Sequence, residues 1–347
     1  MPARCPGNAN VNLEKMNSPK VSIILPTYNV EKFLRQCLES IAAQTYKNIE
    51  VIIIIDGATD KSFEIAQNFC EKDNRFNVYW QKNAGSGPAR NNGLDRATGQ
   101  FIMFVDPDDW CLPDYVENML KLQRDGNYDI VTTSETTIYF SKSGKVKKTL
   151  PPHFKEASYR GVRQMHEKYL SLFLNGNIHA PHCKIYKTDI IKDNGIRFPD
   201  LRRSQDIVFN YRYYDHAQSI LISNYSGYMY RVLSKERAKR LKPDYYKTIG
   251  LIYNEIKALH DKWGIAFDKE IASTFLFGSV YTLFESNSMR GEPIRYIVND
   301  PTIKEIIERS EPQKKHLAMV RSLVLNGNYT LATLIVKIVF YIKMILQ

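Results

Sequence analysis

Short apolar runs alternate with longer amphipathic segments between positions 21 and 105 of the chain. The apolar runs are candidate β-strands at 21–25, 51–55, 76–80 and 101–105. Between them, apolar side chains recur at helical spacing over 31–44 and 61–72. Strands and helices that alternate in this order predict an α/β domain with a parallel central sheet.

The pattern changes after the fourth predicted strand. A helix is predicted over 114–124, with Pro113 at its start, and is followed by a strand over 128–133 and a hairpin turn at 141–144. Residues 160–230 mix helix and strand signals, and we expect them to complete the same domain. Beyond Pro243 the pattern is helical, most clearly over 245–263 and 269–287. We therefore expect a flexible leader at 1–19, an α/β domain at 20–241 and a helical region at 242–347.

The formal net charge of +11 favours a polyanionic partner or surface. Basic residues cluster between 231 and 242 and around an apolar segment at 331–346, a combination that favours a membrane surface over nucleic acid. This segment contains Lys337 and Lys343 and is shorter than the roughly 20 residues needed to span a bilayer. We expect it either to lie in the headgroup layer or to dock on the helical region.

The cysteines and the first residues bear on the cellular compartment. Five cysteines are scattered without a C-x-x-C pair, so neither a structural zinc site nor a disulfide framework is predicted. Residues 1–19 are polar and lack the basic start and apolar run of a secretory signal. These features predict a cytoplasmic protein, peripheral on the inner face of the cytoplasmic membrane.

Polar clusters follow each predicted strand, where open parallel sheets bind their ligands. The clusters are Pro26-Thr27-Tyr28-Asn29, 56–60, 83–91 and Asp106-Pro107-Asp108-Asp109. The three carboxylates of the last cluster would repel one another unless a cation lay between them. Such oxygen ligands suit Mn²⁺ or Mg²⁺, which complete their coordination with phosphate oxygens. The alternative is an acidic first turn of a helix.

In their order and spacing, the four clusters resemble the family 2 glycosyltransferases of bacterial polysaccharide synthesis, which have the GT-A fold. The resemblance runs from Val21 to about Arg231, and its matching segments are 21–29, 43–50, 85–91 and 104–110. It implies a Rossmann-like GT-A domain that binds a nucleoside-diphosphate sugar, with a UDP-sugar expected.

The resemblance also implies roles for individual residues. Asp56 would accept a hydrogen bond from the donor base, and Arg90 would lie near the donor's ribose or diphosphate. Asp106 and Asp108 would hold the nucleotide and the metal. The first loop would line the nucleoside pocket with Pro26, Thr27, Tyr28 and Asn29. The family usually has two consecutive acids where this chain has Ile55-Asp56, so only the second acid carries over.

Transfer with inversion needs a base opposite the leaving group, to take the proton of the acceptor hydroxyl. Asp206 is the candidate, because 198–199 and 204–209 resemble the family's second acidic motif, in which an Asp is the base. Gln205 stands where the family usually has Glu. An Asp in the first turn of a helix is the alternative interpretation.

The sequence thus predicts a metal-dependent, inverting glycosyltransferase. Its expected acceptor is a carbohydrate, polyprenyl-linked, in the synthesis of a surface polysaccharide such as a capsule. One alternative is a catalytically degenerate protein of the same fold that binds nucleotide sugar or acts as a scaffold, suggested by Ile55 and Gln205. The other is a sugar-phosphate nucleotidyltransferase, which would need a glycine-rich basic loop where this chain has Pro26-Thr27-Tyr28-Asn29.

Overall fold

The computed structural model describes residues 18–141, 143–175, 178–201, 203–233, 244–267 and 269–345. The chain divides into two compact units. Unit 1 comprises Met1–Tyr139, Val146–Arg160 and Ala180–Val232, and unit 2 comprises Phe140–Lys145, Gly161–His179 and Leu233–Gln347. Most of the predicted leader and most of the basic stretch at 231–242 lie outside the described residues.

The strands are numbered in chain order. They are β1 (Val21–Thr27), β2 (Ile49–Asp56), β3 (Phe76–Gln81), β4 (Phe101–Phe104), β5 (Trp110–Cys111), β6 (Ile130–Thr133), β7 (Thr136–Phe140), β8 (Val146–Leu150), β9 (Ala157–Arg160), β10 (Lys184–Lys187), β11 (Ser219–Ser223) and β12 (Tyr228–Leu233).

The helices are numbered in the same way. They are α1 (Glu31–Ala42), α2 (Ser62–Cys70), α3 (Ser86–Arg96), α4 (Tyr115–Gly126), α5 (Val162–Leu174), α6 (Thr188–Asp193), α7 (Gln205–His216), α8 (Tyr245–Trp263), α9 (Phe277–Arg290), α10 (Arg295–Val298), α11 (Pro301–Arg309), α12 (Lys315–Leu325) and α13 (Tyr329–Ile345). A π-helical segment, Ile271–Leu276, leads into α9.

The main sheet of unit 1 has the strand order β3-β2-β1-β4-β10-β6-β11-β9. The first four of these strands are parallel, which confirms the predicted parallel sheet and its four strands. β10 then runs antiparallel to both β4 and β6, so the sheet as a whole is mixed. A second sheet has the order β5-β12-β7-β8; the hairpin turn predicted at 141–144 falls between β7 and β8 and includes position 142, which lies outside the described residues.

Both faces of β1, β2 and β4 are covered, which explains their nearly continuous apolar sequence. Ile23 and Leu25 of β1 pack in one core with Leu34 of α1. The side chain between them, Ile24, points to the opposite face, towards α3. A Cβ atom on Gly93 of α3 would collide with Ile24 Cγ2, so this glycine permits the close approach of helix and sheet.

Unit 2 is helical and consists of α5 and α8–α13. The His166 ring of α5 stacks on Trp263 of α8 at 3.9 Å, and Tyr169 of α5 meets His260 edge-on at 5.4 Å. Residues 161–179 therefore belong to unit 2, although the sequence placed them in the 20–241 domain. Burial of these aromatic rings against α8 is the physical reason.

The apolar segment at 331–346 forms most of α13. One side of this helix is docked, because Ala332, Val336 and Phe340 are buried. Across the residues that the structure describes, every helix is too short or too polar to cross a bilayer.

Candidate functional site

Four polar residues lie at one edge of the main sheet. Thr27, Asp56 and Gln81 end β1, β2 and β3, and Asp106 follows β4 by two residues. Because these strands are adjacent and parallel, their carboxyl ends meet at the same edge. The clusters identified in the sequence are therefore neighbours in the fold.

The Asp106-Pro107-Asp108-Asp109 segment is a tight turn. The Asp109 N–H donates to the Asp106 carbonyl at 3.1 Å, and Pro107 occupies the second position, where its fixed φ suits the turn. The Asp109 carboxylate accepts hydrogen bonds from the Tyr228 hydroxyl at 2.8 Å and from the Arg231 N–H at 2.7 Å. Since Asp109 is buried and tied to β12, its carboxyl anchors the turn.

Asp106 lies between two basic groups. Arg90 Nη2 is 2.7 Å from Asp106 Oδ1, and His182 Nδ1 is 3.4 Å from Asp106 Oδ2. Burial opposes the charge on Asp106, but the Arg90 charge and the His182 imidazole outweigh it and hold the pKa of this carboxyl well below its usual range. Asp106 is therefore an ionised carboxylate.

The other two acids of the turn lie where ionisation is disfavoured. Burial and repulsion by Asp106 raise the pKa of Asp108, and the same causes with added repulsion by Asp108 raise the pKa of Asp109 to about 8. In the part of the chain that the structure describes, no side chain forms an ion pair with the Asp108 carboxylate. The Asp108 carboxylate, repelled by Asp106, fits the hard oxygen ligands of a divalent cation.

His182 is a site residue that the sequence did not predict. Its Nε2 lies 2.8 Å from Glu135 Oε2, and its ring stacks on Tyr228 at 4.9 Å and on Tyr230 at 5.6 Å. Burial lowers the pKa of His182, but hydrogen bonds and charges from Asp106 and Glu135 outweigh it and raise the pKa to about 10. The imidazole is therefore held as a cation between two carboxylates.

Glu135, His182 and Cys183 place three possible metal-ligand atoms within 4.8 Å of one another. A metal at this trio would need a neutral imidazole and a thiolate. Burial and the Glu135 charge instead raise the pKa of the Cys183 thiol, and the His182 ring favours the protonated form. The electrostatics of the trio fit a carboxylate–imidazolium pair better than a metal centre.

Asp56 organises the loop between β3 and α3. Its carboxylate accepts hydrogen bonds from Gln81 Nε2 and from the N–H groups of Ala84 and Gly85, each at 2.8 Å. Only 3% of Asp56 is exposed, so most of its acceptor capacity is satisfied within the chain. Ile55, at the position of the family's first acid, is buried in the core of unit 1.

The loop after β1 presents two of its four predicted residues to solvent. Pro26 and Thr27 are buried, and the Thr27 hydroxyl donates to a backbone carbonyl two residues earlier. Tyr28 is half exposed, and the exposed Asn29 has a left-handed backbone with φ 49°. Asn29 Oδ1 accepts from the Thr59 N–H at 2.8 Å, which fastens this loop to the loop after β2.

Asp206 lies in the first turn of α7. Burial raises the pKa of Asp206, the Arg90 charge counters this effect, and Asp106 adds to the rise, so the three groups are close enough to interact. Gln205 Nε2 donates to Ser86 Oγ at 2.6 Å and thereby links the first turns of α7 and α3. The glutamine that replaces the family's Glu is thus a link between two helices.

Taken together, Arg90, Asp106, Asp108 and Asp206 form an electrostatically connected cluster. Asp56 and the loop at 26–29 lie at the ends of the neighbouring strands, where they hold the surrounding loops. This arrangement can bind a divalent cation and an anionic ligand, and it offers a carboxylate with a raised pKa as a proton acceptor.

Comparison with known proteins agrees with the motifs. Residues 22–195 match glycosyl transferase family 2. The chain is 33% identical to EpsH of Bacillus subtilis (strain 168) over 247 residues, which are 70% of this chain and 69% of EpsH. It is 36% identical over 221 residues to the glycosyltransferase GlyA of Streptococcus pneumoniae serotype 4, covering 61% of this chain but only 30% of GlyA.

Solved structures extend the comparison to the fold. The crystal structure of S. aureus TarS 1-349 in complex with UDP-GlcNAc matches with a TM-score of 0.62 and 21% sequence identity, covering 92% of this chain and 90% of that one. At this identity the likeness concerns the fold alone. It confirms the predicted GT-A fold with a C-terminal helical region.

Proposed function

Because the chain belongs to glycosyl transferase family 2, we propose that it is an inverting glycosyltransferase that moves a sugar from a UDP-sugar to a carbohydrate acceptor. The observation that carries the proposal is the cluster of Arg90, Asp106, Asp108 and Asp206 in unit 1. TarS, which shares the fold, was solved with UDP-GlcNAc, and this supports a UDP-sugar as the donor.

Asp106 and Asp108 would hold Mn²⁺ or Mg²⁺ together with the donor diphosphate. A bound divalent cation stabilises the negative charge of a departing diphosphate. Arg90 keeps Asp106 ionised and oriented through its 2.7 Å ion pair. Tyr28 and Asn29 would contact the nucleoside, while Asp56 fixes the loop beside it and accepts from the base with its remaining capacity.

Asp206 would be the general base. The acceptor hydroxyl oxygen forms a bond to the anomeric carbon of the donor sugar as the bond from that carbon to the diphosphate oxygen breaks. The diphosphate leaves with the electron pair, and the hydroxyl proton passes to the Asp206 carboxylate. The pKa of Asp206 is raised towards neutral pH, and a carboxylate with a higher pKa is a stronger base.

The acceptor proposed is a polyprenyl-linked carbohydrate at the inner face of the cytoplasmic membrane, in the synthesis of a surface polysaccharide such as a capsule. The support for this acceptor is the net charge of +11 and the apolar, lysine-containing α13. A water-soluble acceptor would not require either feature.

A degenerate binding protein remains the second candidate, because Gln205 replaces the family's Glu and its Oε1 atom is buried without a hydrogen-bond partner. Gln205 nevertheless leaves the four charged groups of the cluster in place, so the transferase is favoured. UDP-sugar binding without any turnover, with or without acceptor, would identify the binding protein.

The proposal is tested by donor turnover with a panel of UDP-sugars and Mn²⁺. We expect Asp206→Asn to lower turnover by at least about a hundredfold while donor binding persists. Asp108→Asn is expected to lower turnover and also to weaken donor binding. Asp125→Asn, at an exposed position of α4, is the matched control and should behave like the native protein. Equal turnover by all three variants would refute the assignments.

A further inference from the structure

We propose that the exposed face of α12 and α13 in unit 2 docks on an anionic lipid surface without crossing it. This inference deepens the membrane part of the proposed function and rests on it. It adds the surface that makes the contact and the way in which that surface lies on the lipid.

Helix α13 has two apolar faces. The first, with Ala332 and Val336, is buried in unit 2. The opposite face carries large apolar side chains that are each 41–51% exposed: Leu331, Leu334, Ile338, Tyr341 and Ile342. Their spacing of three and four residues places them on one continuous stripe. Exposed Met319 and Leu325 of the preceding helix add to the apolar surface of this helix pair.

The charge of this region selects a lipid surface as the occupant. Positions 312–347 contain no Asp or Glu, and their cations are Lys314, Lys315, Arg321, Lys337 and Lys343. A cationic apolar helix complements anionic headgroups. Two copies of the same face would bring like charges together, since the segment has no acid to pair with its lysines.

The length of α13 indicates that this helix lies in the plane of the membrane and does not cross it. The 17 residues of α13 measure about 26 Å at about 1.5 Å per residue, which is less than the roughly 30 Å of a hydrocarbon core. Lys337 lies in the middle of the helix and is partly buried at the side of the stripe. A helix that exposes one apolar face with a cation at its flank lies with that face in the headgroup boundary.

The test is flotation of the full chain with vesicles of phosphatidylcholine containing about 30% phosphatidylglycerol. We expect binding that weakens as salt rises from about 0.05 to 0.5 M. The double variant Leu334→Asn with Ile338→Asn, here the stripe variant, should bind the vesicles at least about tenfold less. Val146→Asn with Val162→Asn, at positions of similar exposure on β8 and α5, is the matched control and should bind like the native protein.

A second variant keeps the test independent of the apolar stripe. Lys314→Gln with Lys315→Gln should lose binding at low salt while the melting temperature stays unchanged, because both side chains are exposed. The inference is overturned if the native protein does not bind these vesicles, or if the stripe variant binds them as well as the Val146→Asn, Val162→Asn control does. A native dimer that the stripe variant converts to a monomer, without vesicle binding, assigns the face to a second copy and also overturns it.

Donor binding separates this inference from the proposed function. UDP-sugar with Mn²⁺ should raise the melting temperature of the native protein and of the stripe variant equally. If neither protein shows this shift, the proposed function is contradicted. The lipid contact is then judged from vesicle binding alone.

Discussion

The ion pair between Arg90 and Asp106 should be worth far more than an equivalent pair on the surface. The Arg90 side chain is 7% exposed and the Asp106 side chain 25% exposed, with Nη2 and Oδ1 2.7 Å apart. Breaking a buried pair by removing one partner costs about 3–5 kcal/mol of unfolding free energy. Because Asp106 keeps His182 nearby, we expect Arg90→Met to cost about 3 kcal/mol, at the lower end of that range.

A double-mutant cycle isolates the pair. Arg90→Met and Asp106→Asn should cost less together than the sum of the two single variants, with a coupling energy of about 2 kcal/mol. The matched control is Arg197 with Asp95, a pair of the same residue types at 2.8 Å whose side chains are 41% and 60% exposed. Its cycle should give less than about 1 kcal/mol.

The assay is chemical denaturation followed by tryptophan fluorescence in a Trp263→Phe background. Of the three tryptophans, Trp80 and Trp110 then remain, and both belong to unit 1, where the two ion pairs lie. Equal coupling energies in the two cycles would refute the claim that burial makes the Arg90 pair a structural support of the Asp106 turn.

Three further predictions concern the framework of unit 1. Burial opposes the charge on Glu50, but hydrogen bonds from a lysine, a serine and a threonine lower the pKa of this carboxyl from 4.5 to about 2. Its contribution to the free energy of unfolding is therefore complete above pH 4.5 and is lost as the pH falls towards 2. Glu50→Gln should cost about 2 kcal/mol at neutral pH, after discounting for solvent exposure of the lysine, and should flatten the acid limb of a pH–stability curve. Gly93→Ala should lower the free energy of unfolding by about 1–3 kcal/mol, because the added methyl group overpacks against β1. Gly278→Ala, which has open space at its Cβ, should not lower it. Thermal unfolding measures both variants, and equal effects would contradict the packing argument. Asp56→Ala should raise amide hydrogen exchange at Gly85 by at least about tenfold, because it removes the acceptor of that N–H, and unchanged exchange would mean that the loop does not depend on Asp56.

The parallel half of the sheet could be predicted from the sequence because β1, β2 and β4 are nearly continuous apolar runs. β1, β2, β3 and β4 all lie within one or two residues of the predicted positions. The later strands are short, and they pair over long sequence separations: Ile220 of β11 lies opposite Ile130 of β6. Such pairing depends on the tertiary fold and leaves little local periodicity to detect.

The helical region was also only partly predictable. The predicted helix at 245–263 is confirmed as α8, whereas the helix expected over 269–287 contains the π-helical segment Ile271–Leu276. A π-helical turn changes the hydrogen-bond pattern of a helix without a clear mark in its apolar spacing.

In the candidate site, the motif residues could be found from the sequence, but their supporting contacts could not. Glu135 and His182 are 47 residues apart and meet only because β6 and β10 are neighbours in the sheet. Arg231 Nε donates to the Asp108 carbonyl across 123 positions of the chain. No motif spacing encodes contacts of this kind, since the tertiary fold creates them.

The central claim is that the Asp106 turn binds a divalent cation together with a nucleoside diphosphate. Calorimetric titration of UDP into the protein, with Mn²⁺ and then with a chelator in its place, tests this claim most directly. We predict that Mn²⁺ tightens UDP binding by at least about tenfold, or about 1.4 kcal/mol, in the native protein and that Asp108→Asn removes this dependence. Equal UDP affinity with Mn²⁺ and with chelator, or an undiminished metal effect in Asp108→Asn, would contradict the claim.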